Sequence, residues 1–275
     1  MTTVVDQQKP TTGASQVRIR RTSTRSQLLA ISIASPILLF ILWEILSRMG
    51  ALDQRFFPAP TAIFGALWTQ ASGGELWTQS GHSVQRLLLG FIIGAVPGVV
   101  LGVVMGLSKV VNAAVRPISS ALYAVPKSAV LPLFLLFFGL GENTAWYFVA
   151  VGAFFPVLIN TYTGVANVAD TYYDVAQNFG ASRMRVFRTV AIPGAMPSIV
   201  TGLELGAGMA LIMLAIVEML GGLGNGWGFM VWNSYQLFII DTMYAYLLVF
   251  AIVGLALALI VGWCGRALAP WAKRK

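Results

Sequence analysis

Three long stretches without a charged residue limit what this chain can fold into. They cover residues 87–108, 143–169 and 242–265, and each is long enough to cross about 30 Å of hydrocarbon as an α-helix. Of the 275 residues, 57% are hydrophobic and only 10% are charged, which is more apolar surface than a soluble domain of this size can bury. The sequence therefore predicts an all-α integral membrane protein.

Further apolar segments raise the predicted number of transmembrane helices to six. We place them at about 27–48, 84–108, 117–140, 144–167, 195–219 and 243–265. The predicted organisation is a disordered polar tail at 1–26, the first transmembrane helix at 27–48, an external lead-in at 49–83, a five-helix core at 84–267 with a loop at 168–194, and a basic tail at 268–275.

The distribution of basic residues predicts the orientation of the helices. Loops rich in Lys and Arg are retained on the cytoplasmic side of a membrane. With the amino terminus inside, all but four of the 18 basic residues lie in cytoplasmic segments. The four exceptions are Arg48, Arg55, Arg86 and Lys127. We therefore expect a multi-pass protein with both termini in the cytoplasm.

The residue types that build several other kinds of site are scarce. The net charge of +8 does not indicate nucleic-acid binding, because the basic residues flank apolar segments instead of clustering on a soluble face. The only cysteine is Cys264 and the only histidine is His82, so we expect no internal disulfide and no metal site. A membrane-embedded enzyme is also disfavoured, because no nucleophile is paired with a base.

The second predicted helix carries five glycines spaced by four residues. This spacing places them on one stripe, which lets another helix approach backbone to backbone. The stripe predicts close helix packing, either within the chain or against a second subunit. Its members are Gly90, Gly94, Gly98, Gly102 and Gly106.

The loop at 170–197, between the fourth and fifth predicted helices, is too long for a simple turn. It predicts a short helix at 172–179 that is stopped by Gly180 in the left-handed region. A second short helix is predicted at 183–190, capped by Ser182 and ending before Pro193. This second helix is basic and amphipathic, so it can lie on anionic lipid or insert into a partner protein.

Three charged residues are candidates for positions inside the bilayer: Lys127, Glu204 and Glu218. A charged side chain costs roughly 2.5 to 3.5 kcal/mol at the centre of a transmembrane helix, so it tends to face a cavity or a partner. Lys127 follows Pro126, where the third helix is expected to break, and Glu204 is the deepest of the three. We predict that Glu204 faces a translocation path or pairs with Lys127. For Glu218, near the outer end of its helix, structural and gating roles are both open.

Residues of the long loop resemble a known family. Asp174-Val175-Ala176, then Gly180, then Ile192-Pro193 resemble the cytoplasmic EAA loop of binding-protein-dependent ABC importer permeases, with Asp in place of Glu and Val in place of the first Ala. Other segments are similar to the nitrate, sulfonate and taurine branch of that family, although Glu204 stands where the branch often has Arg. These segments are 58–60, 83–86 with 90–91, Pro126 with Pro132, 138–141, 155–156, and Glu218 followed by 222–224.

The resemblance implies a division of labour between separate chains. In the family, the loop helix sits in a groove of a cytoplasmic ATPase, of which two copies are expected, and an external binding protein delivers the substrate. Permeases of the family usually work in pairs, so we expect a homodimer, in the lipid of a bacterial inner membrane. The implied substrate is a small organic or inorganic anion such as a sulfonate, taurine or nitrate. The resemblance assigns the ATPase contact to Asp174, Ala176, Gly180, Ala181, Ser182 and Pro193.

An energy source within the chain itself is not indicated. None of its lysines follows a glycine, so no phosphate-binding loop of the form G-x-x-x-x-G-K-[ST] is present. We therefore expect a transport subunit that is not an enzyme and binds no cofactor, with ATP and Mg²⁺ used by the partner ATPase. The alternative is a self-contained secondary transporter driven by an ion gradient. Against it, no inverted repeat relates the two halves, and the basic loop has no part in such a mechanism.

Overall fold

The computed structural model describes residues 25–271, and within these bounds every regular element is helical. They include one π-helical turn, Phe187–Ala191. Residues 1–24 and 272–275, which include most of the predicted amino-terminal tail and half of the predicted basic tail, lie outside the described part of the chain. The helices are α1 (Arg25–Arg48), α2 (Pro60–Ser72), α3 (Glu75–Leu107), α4 (Lys109–Ala124), α5 (Lys127–Phe138), α6 (Glu142–Ala166), α7 (Asp170–Asn178), α8 (Arg183–Val186), α9 (Ile192–Leu220), α10 (Trp227–Gln236) and α11 (Ile240–Leu268).

Five helical segments are long and apolar enough to cross a membrane. They are α1, α3, α6, the continuous segment Arg183–Leu220 that contains α8 and α9, and α11. A sixth span can be made by α4 and α5 together, which meet at a bend of 100°. The predicted all-α membrane protein with about six spans is therefore confirmed, as five continuous spans and a bent helix pair that can make the sixth.

The bend between α4 and α5 has a local cause in the sequence. Pro126 has no backbone N–H to donate, and its ring forces the preceding residue out of the helical region. Val125 is accordingly extended, with φ −65° and ψ 130°. Lys127 is then the first residue of α5 instead of a residue inside a straight span.

Helices α3 and α6 form the centre of the fold and run parallel to each other. Gly90, in the middle of α3, faces Val149 in the second turn of α6, and near the last turns of both helices Gly106 faces Val165. The end of the bundle at Gly106 carries α7 and α8, and we refer to it as the elbow end. The end at which α3 and α6 begin is the opposite end.

All five glycines of the predicted stripe face α6. A side chain at Gly90 would place its Cβ 2.6 Å from the Cβ of Val149, and one at Gly98 would place it 3.0 Å from the carbonyl oxygen of Phe154. The same crowding, at less than 3.0 Å from α6, holds at Gly94, Gly102 and Gly106. The stripe therefore packs within the chain, and it allows the backbones of α3 and α6 to touch along their length.

Helix α9 packs antiparallel on a further side of α6. Small residues again mark the contact, since Gly152 of α6 faces Met213 and Gly164 faces Ser198. Helix α11 follows α9 antiparallel in turn, but α1 and α11 keep most of their surface exposed. The core is thus a layer of three long helices, α3, α6 and α9, with α1 and α11 at its periphery.

The segment predicted as an external lead-in contains more helix than expected. Helix α2 lies within it, and α3 begins at Glu75 instead of near residue 84. Gln79 and Ser83, in these additional turns, are 7% and 0% exposed. Two polar residues do not look buried in a sequence. They can be buried here because they accept hydrogen bonds from the backbone N–H groups of Gly226 and Trp227, which lie far along the chain. Helix α10 was likewise not predicted.

We expect Gly98→Leu to destabilise the contact between α3 and α6, because its side chain would overlap the backbone of α6 at Phe154. Overpacking a core typically costs about 1–3 kcal/mol. The midpoint of thermal unfolding in detergent should therefore fall, together with the yield of monodisperse protein. Gly81→Leu is the matched control, since Gly81 lies on the same helix and a Cβ added to it would have no atom within 4 Å. Equal midpoints for the two variants would contradict the packing.

Candidate functional site

Arg86 is the centre of a buried network of charges at the opposite end of the bundle. Its side chain is 1% exposed. The guanidinium donates to both carboxylate oxygens of Glu142, from Nε at 2.8 Å and from Nη2 at 2.5 Å, and its Nη1 donates to Oε1 of Glu218 at 2.9 Å. It also donates to the backbone carbonyl of Asn225 at 3.0 Å and to the Oδ1 of the same residue. These hydrogen bonds use all the N–H groups that an arginine has.

Glu218, on α9, is the fully buried anion of this network. Its side chain is 0% exposed. The Oγ of Ser83 donates to its Oε1 at 2.7 Å, and the backbone N–H of Gly228 donates to its Oε2 at 2.9 Å. Ser83 in turn accepts a hydrogen bond from the backbone N–H of Trp227 at 2.8 Å. Both oxygens of the carboxylate are therefore satisfied, and α3, α9 and the first turn of α10 are tied together.

Glu142 is the second carboxylate of the network, and solvent reaches it. It is the first residue of α6, and its side chain is 43% exposed. It therefore links α6 to Arg86 from the surface of the bundle, whereas Glu218 holds Arg86 from within.

The two ion pairs of Arg86 differ in what their loss would cost. Removing one partner of a buried pair typically costs about 3–5 kcal/mol, because the other charge stays in a low dielectric without compensation. An exposed pair contributes about 0–1 kcal/mol. The pair with Glu218 belongs to the first kind, and the pair with Glu142 lies nearer the second. The network thus fixes α3 to α9 strongly and fixes α6 less strongly.

Two glycine-rich turns enclose the network. The turn at 139–141 joins α5 to α6, and the turn at 221–226 joins α9 to α10. Gly226 is required for space as well as for its φ of 104°, because a Cβ there would lie 2.8 Å from Nη1 of Arg86. Positive φ values occur at Gly139 (72°), Gly141 (150°), Gly222 (67°), Gly224 (73°) and Gly226 (104°).

Sequence reasoning identified only part of this network. It placed Glu218 among the candidates for a translocation path, and that role stays a prediction, although the contacts of Glu218 are those of a structural ion pair. It did not identify Arg86 or Glu142 as site residues. A signal was present, because the segments 83–86, 138–141 and 218–224, which carry part of the family resemblance, meet around Arg86.

The elbow, which we define as residues 170–191, has the geometry of a capped helical turn. Gly180 follows α7 with φ 72°, so its predicted left-handed conformation is confirmed. Its N–H donates to the carbonyl of Gln177 at 2.8 Å, and the N–H of Ala181 donates to the carbonyl of Ala176 at 3.0 Å, which together end the helix. The Oγ of Ser182 then accepts from the N–H of Arg185 at 3.4 Å and caps α8, as predicted.

The prediction that the second loop helix ends before Pro193 was wrong. The helix continues from Arg183 to Leu220, and Pro193 lies within the first two residues of α9. The π-turn shifts the hydrogen bonds by one residue, so that the N–H of Ile192 donates to the carbonyl of Phe187. This wider turn accommodates a residue that cannot donate a hydrogen bond. The elbow is therefore joined to α9 without an interruption.

A cavity of about 750 Å³ lies beneath the elbow, against the ends of α3 and α6. Lys109, Asp170, Tyr173 and Arg183 contribute polar groups to its lining. Burial, and next to it the charge of Asp170, raises the pKa of the Tyr173 phenol above its ordinary value. Of the predicted coupling residues, Asp174, Gly180 and Ser182 are exposed, while Ala176, Ala181 and Pro193 are half-buried.

The remaining predicted path residues lie near the middle of the bundle. Glu204 lines an open cavity of about 430 Å³ together with Tyr123 and Asn160. Lys127 reaches the same region, because its Nζ donates to the carbonyl of Tyr123 and lies 5.4 Å from the ring centre of Phe155. Lys127 and Glu204 therefore both lie close to Tyr123. Their pairing and their part in a path stay predictions.

Comparisons with known proteins agree with this architecture. The family described as "Binding-protein-dependent transport system inner membrane component" matches residues 98–274. SsuC of Escherichia coli (strain K12), whose name describes an aliphatic sulfonates transport permease, is 34% identical over 219 residues, covering 80% of this chain and 83% of SsuC. The taurine transport system permease protein TauC of the same organism is 31% identical over 251 residues, covering 90% of this chain and 91% of TauC.

A solved structure shares the fold. The MetNI methionine ABC transporter in an inward-facing conformation has a chain that superposes with a TM-score of 0.61 at 18% sequence identity, over 70% of this chain and 96% of that one. The family match covers more than half of the sequence, and two relatives above 30% identity cover four fifths of it or more. The chain therefore belongs to the family of inner membrane components of binding-protein-dependent transport systems.

Proposed function

We propose that this permease subunit of an ABC importer forms the translocation path for a small organic or inorganic anion, and that a separate ATPase drives it through the elbow. As a member of its family the chain is a multi-pass transport subunit of an inner membrane and not an enzyme. The names of SsuC and TauC support a sulfonate or taurine as the anion, with nitrate as a further candidate. ATP and Mg²⁺ are bound by the ATPase in this proposal.

The observation that carries the coupling proposal is the exposed apolar surface of the elbow. Phe179 is 86% exposed, Tyr172 is 66% exposed and Met184 is 58% exposed. Large apolar side chains that are exposed together beside polar groups mark surfaces for protein interaction. In our proposal this surface inserts into the ATPase. The predicted contacts are Asp174, Ala176, Gly180, Ala181, Ser182 and Pro193.

The proposed transmission of force follows the continuous helix. Because α8, the π-turn and α9 form one segment, Arg183–Leu220, a displacement of the elbow moves α9 with it. Because α9 touches α6 at Gly152 and Gly164, the displacement reaches the centre of the bundle. Close-packed contacts of this kind deform little, so they pass a movement on instead of absorbing it.

The proposed assembly places the elbow and both termini in the cytoplasm, in keeping with the distribution of basic residues. Two ATPase subunits would contact two copies of this chain there, and an extracytoplasmic binding protein would deliver the anion at the opposite end. The translocation path would include the cavity that Glu204 lines, with Lys127 beside it.

Reconstituted vesicles test the proposed function. Vesicles that contain this chain together with its ATPase and binding protein should accumulate labelled taurine or an alkanesulfonate when ATP is supplied on the ATPase side. Vesicles that contain the chain alone should accumulate neither solute, with or without a proton or sodium gradient. Uptake by the chain alone would replace the proposal with a secondary transporter.

We expect Gly180→Val to uncouple ATP hydrolysis from uptake in these vesicles. A β-branched residue cannot adopt φ 72° without strain, so the turn between α7 and α8 should be distorted while the membrane helices insert normally. Gly180→Asn is the matched control, because Asn tolerates the left-handed region. No side chain would meet a steric obstacle here, since nothing lies within 4 Å of the Cβ position. If Val and Asn reduce uptake per ATP equally, the backbone conformation of the elbow is not what couples the two chains.

The path proposal predicts that Glu204→Gln and Lys127→Met each lower the rate of uptake, because each changes a charge at the cavity beside Tyr123. The initial rate of uptake at saturating ATP is the measurement, with protein incorporation as the control. A normal rate in the double variant would remove both residues from the path.

A further inference from the structure

We infer that five exposed apolar residues at the opposite end of the bundle form the surface on which the extracytoplasmic binding protein docks. We call them the outer patch. The inference rests on the proposed function, because it assigns a contact surface to one of the partners proposed there. The members of the patch are Phe56, Phe57, Leu237, Phe238 and Ile239.

The outer patch combines two segments that are distant in the sequence. Phe56 and Phe57 lie between α1 and α2, and they are 51% and 48% exposed. Residues 237–239 lie between α10 and α11, and their exposed fractions are 45% to 61%. The segments meet where the ring of Phe56 packs edge-on against the ring of Phe238, with the ring centres 6.0 Å apart. The exposed side chains of both segments therefore belong to one surface.

The backbone of Phe238 is the first sign that this surface has a function. Phe238 has φ 61°, and within residues 25–271 it is the only residue other than glycine with a positive φ. Its N–H donates to the carbonyl of Tyr235 at 3.2 Å, and the N–H of Ile239 donates to the carbonyl of Ser234 at 2.9 Å. These two bonds end α10 with one left-handed residue, at a position that usually holds glycine.

The elbow shows what the same turn looks like with glycine. There α7 ends with the same two hydrogen bonds, and the left-handed residue is Gly180. A phenylalanine in this conformation is strained, because its Cβ crowds the backbone. Contact with Phe56 accounts for only part of the Phe238 ring, since 61% of the residue is exposed. Strained residues that are kept in a fold cluster at functional sites, and here the strain presents an aromatic ring to the outside.

Position and chemistry favour a protein over lipid as the occupant of the patch. The patch lies just beyond two membrane spans, since the span in α1 ends at Arg48 and the span in α11 begins at Ile240. At the level of the lipid headgroups, Trp and Tyr are favoured because they combine an apolar ring with a polar tip. The members of the patch are Phe, Leu and Ile, which have no polar tip.

A charged rim beside the patch supports the same assignment. Arg55 and Asp53 pair at 2.8 Å next to Phe56 in the sequence, and their side chains are 79% and 43% exposed. An apolar centre with a polar rim is the usual anatomy of a protein interface. The chain belongs to a family of binding-protein-dependent transport systems, and the binding protein is the partner that acts at this end in the proposed function. We therefore assign the patch to it.

The test measures how tightly the labelled binding protein binds to nanodiscs that contain this chain and its ATPase, without ATP. Phe238→Ala and Phe56→Ala should each weaken binding roughly tenfold, as expected for residues at the centre of an interface. Leu255→Ala is the matched control, because Leu255 is 63% exposed within the span of α11 and should leave the affinity unchanged. Unchanged affinity in both Phe variants, or an equal loss in the control, would overturn the inference.

Phe238→Gly separates a docking residue from a residue that only shapes the turn. Glycine adopts φ 61° without strain, so the end of α10 should keep its conformation. The binding protein should nevertheless bind this variant as weakly as it binds Phe238→Ala. In reconstituted vesicles, half-maximal uptake should need more binding protein, with the maximal rate unchanged. Full affinity in Phe238→Gly, or a lower maximal rate at saturating binding protein, would contradict a docking role.

Photo-crosslinking identifies the occupant directly. The photoreactive analogue p-benzoylphenylalanine is placed at Phe57, which is exposed and has an ordinary backbone conformation. Irradiation of the complex should join this chain to the binding protein. Products that contain only lipid, or a second copy of this chain, would overturn the inference in favour of a membrane anchor or of an interface between permeases.

These measurements distinguish the patch from the proposed function, because docking and crosslinking need no uptake. A complex that docks and crosslinks through the patch but accumulates no anion would contradict the proposed function and leave the patch standing. Normal uptake together with normal docking in the patch variants would overturn the patch alone. A binding protein that does not bind the unaltered complex would overturn the patch as well.

Discussion

The close approach of α3 and α6 is the contact on which the rest of the structure depends. Lipid surrounds these helices with groups as apolar as their own side chains, so the hydrophobic effect does little to hold them together. Backbone contact through the glycines of α3 provides van der Waals packing instead, from Gly90 at one end to Gly106 at the other. Because the two helices run parallel and in register, the first turn of α6 arrives beside Arg86, and their last turns form the base on which the elbow rests.

The two candidate sites lie at opposite ends of the same rigid layer, and α9 connects them. Its amino-terminal end continues the elbow through the π-turn, and its carboxyl-terminal end carries Glu218. In our proposal, a movement imposed on the elbow reaches the region of Arg86 through this one helical segment. Helix α5 is short and lies between a proline break and a glycine turn, and it packs on the core through Leu131 and Phe134.

Much of the fold could be predicted because its local causes lie within short stretches of sequence. Uncharged runs specify the long helices, Pro126 specifies the break, and Gly180 with Ser182 specifies the turn of the elbow. What escaped prediction depends on residues far apart in the chain. The first turns of α3 contain the polar residues Gln79 and Ser83, whose burial depends on hydrogen bonds from residues 226–227. Pro193 looks like a helix end in the sequence, because composition does not reveal the π-turn before it.

By itself, then, the sequence determined that the chain is a helical membrane protein, where its long apolar helices lie and which family its loop belongs to, since hydropathy, glycine spacing and motif residues are local properties. Only the tertiary structure decided that the glycine stripe packs against α6, and that Arg86 joins Glu218 and Glu142 across three helices. A lone charge near the end of an apolar helix has the same appearance in sequence whether it faces water, lipid or a counter-ion. Its partner is fixed only when distant helices come together.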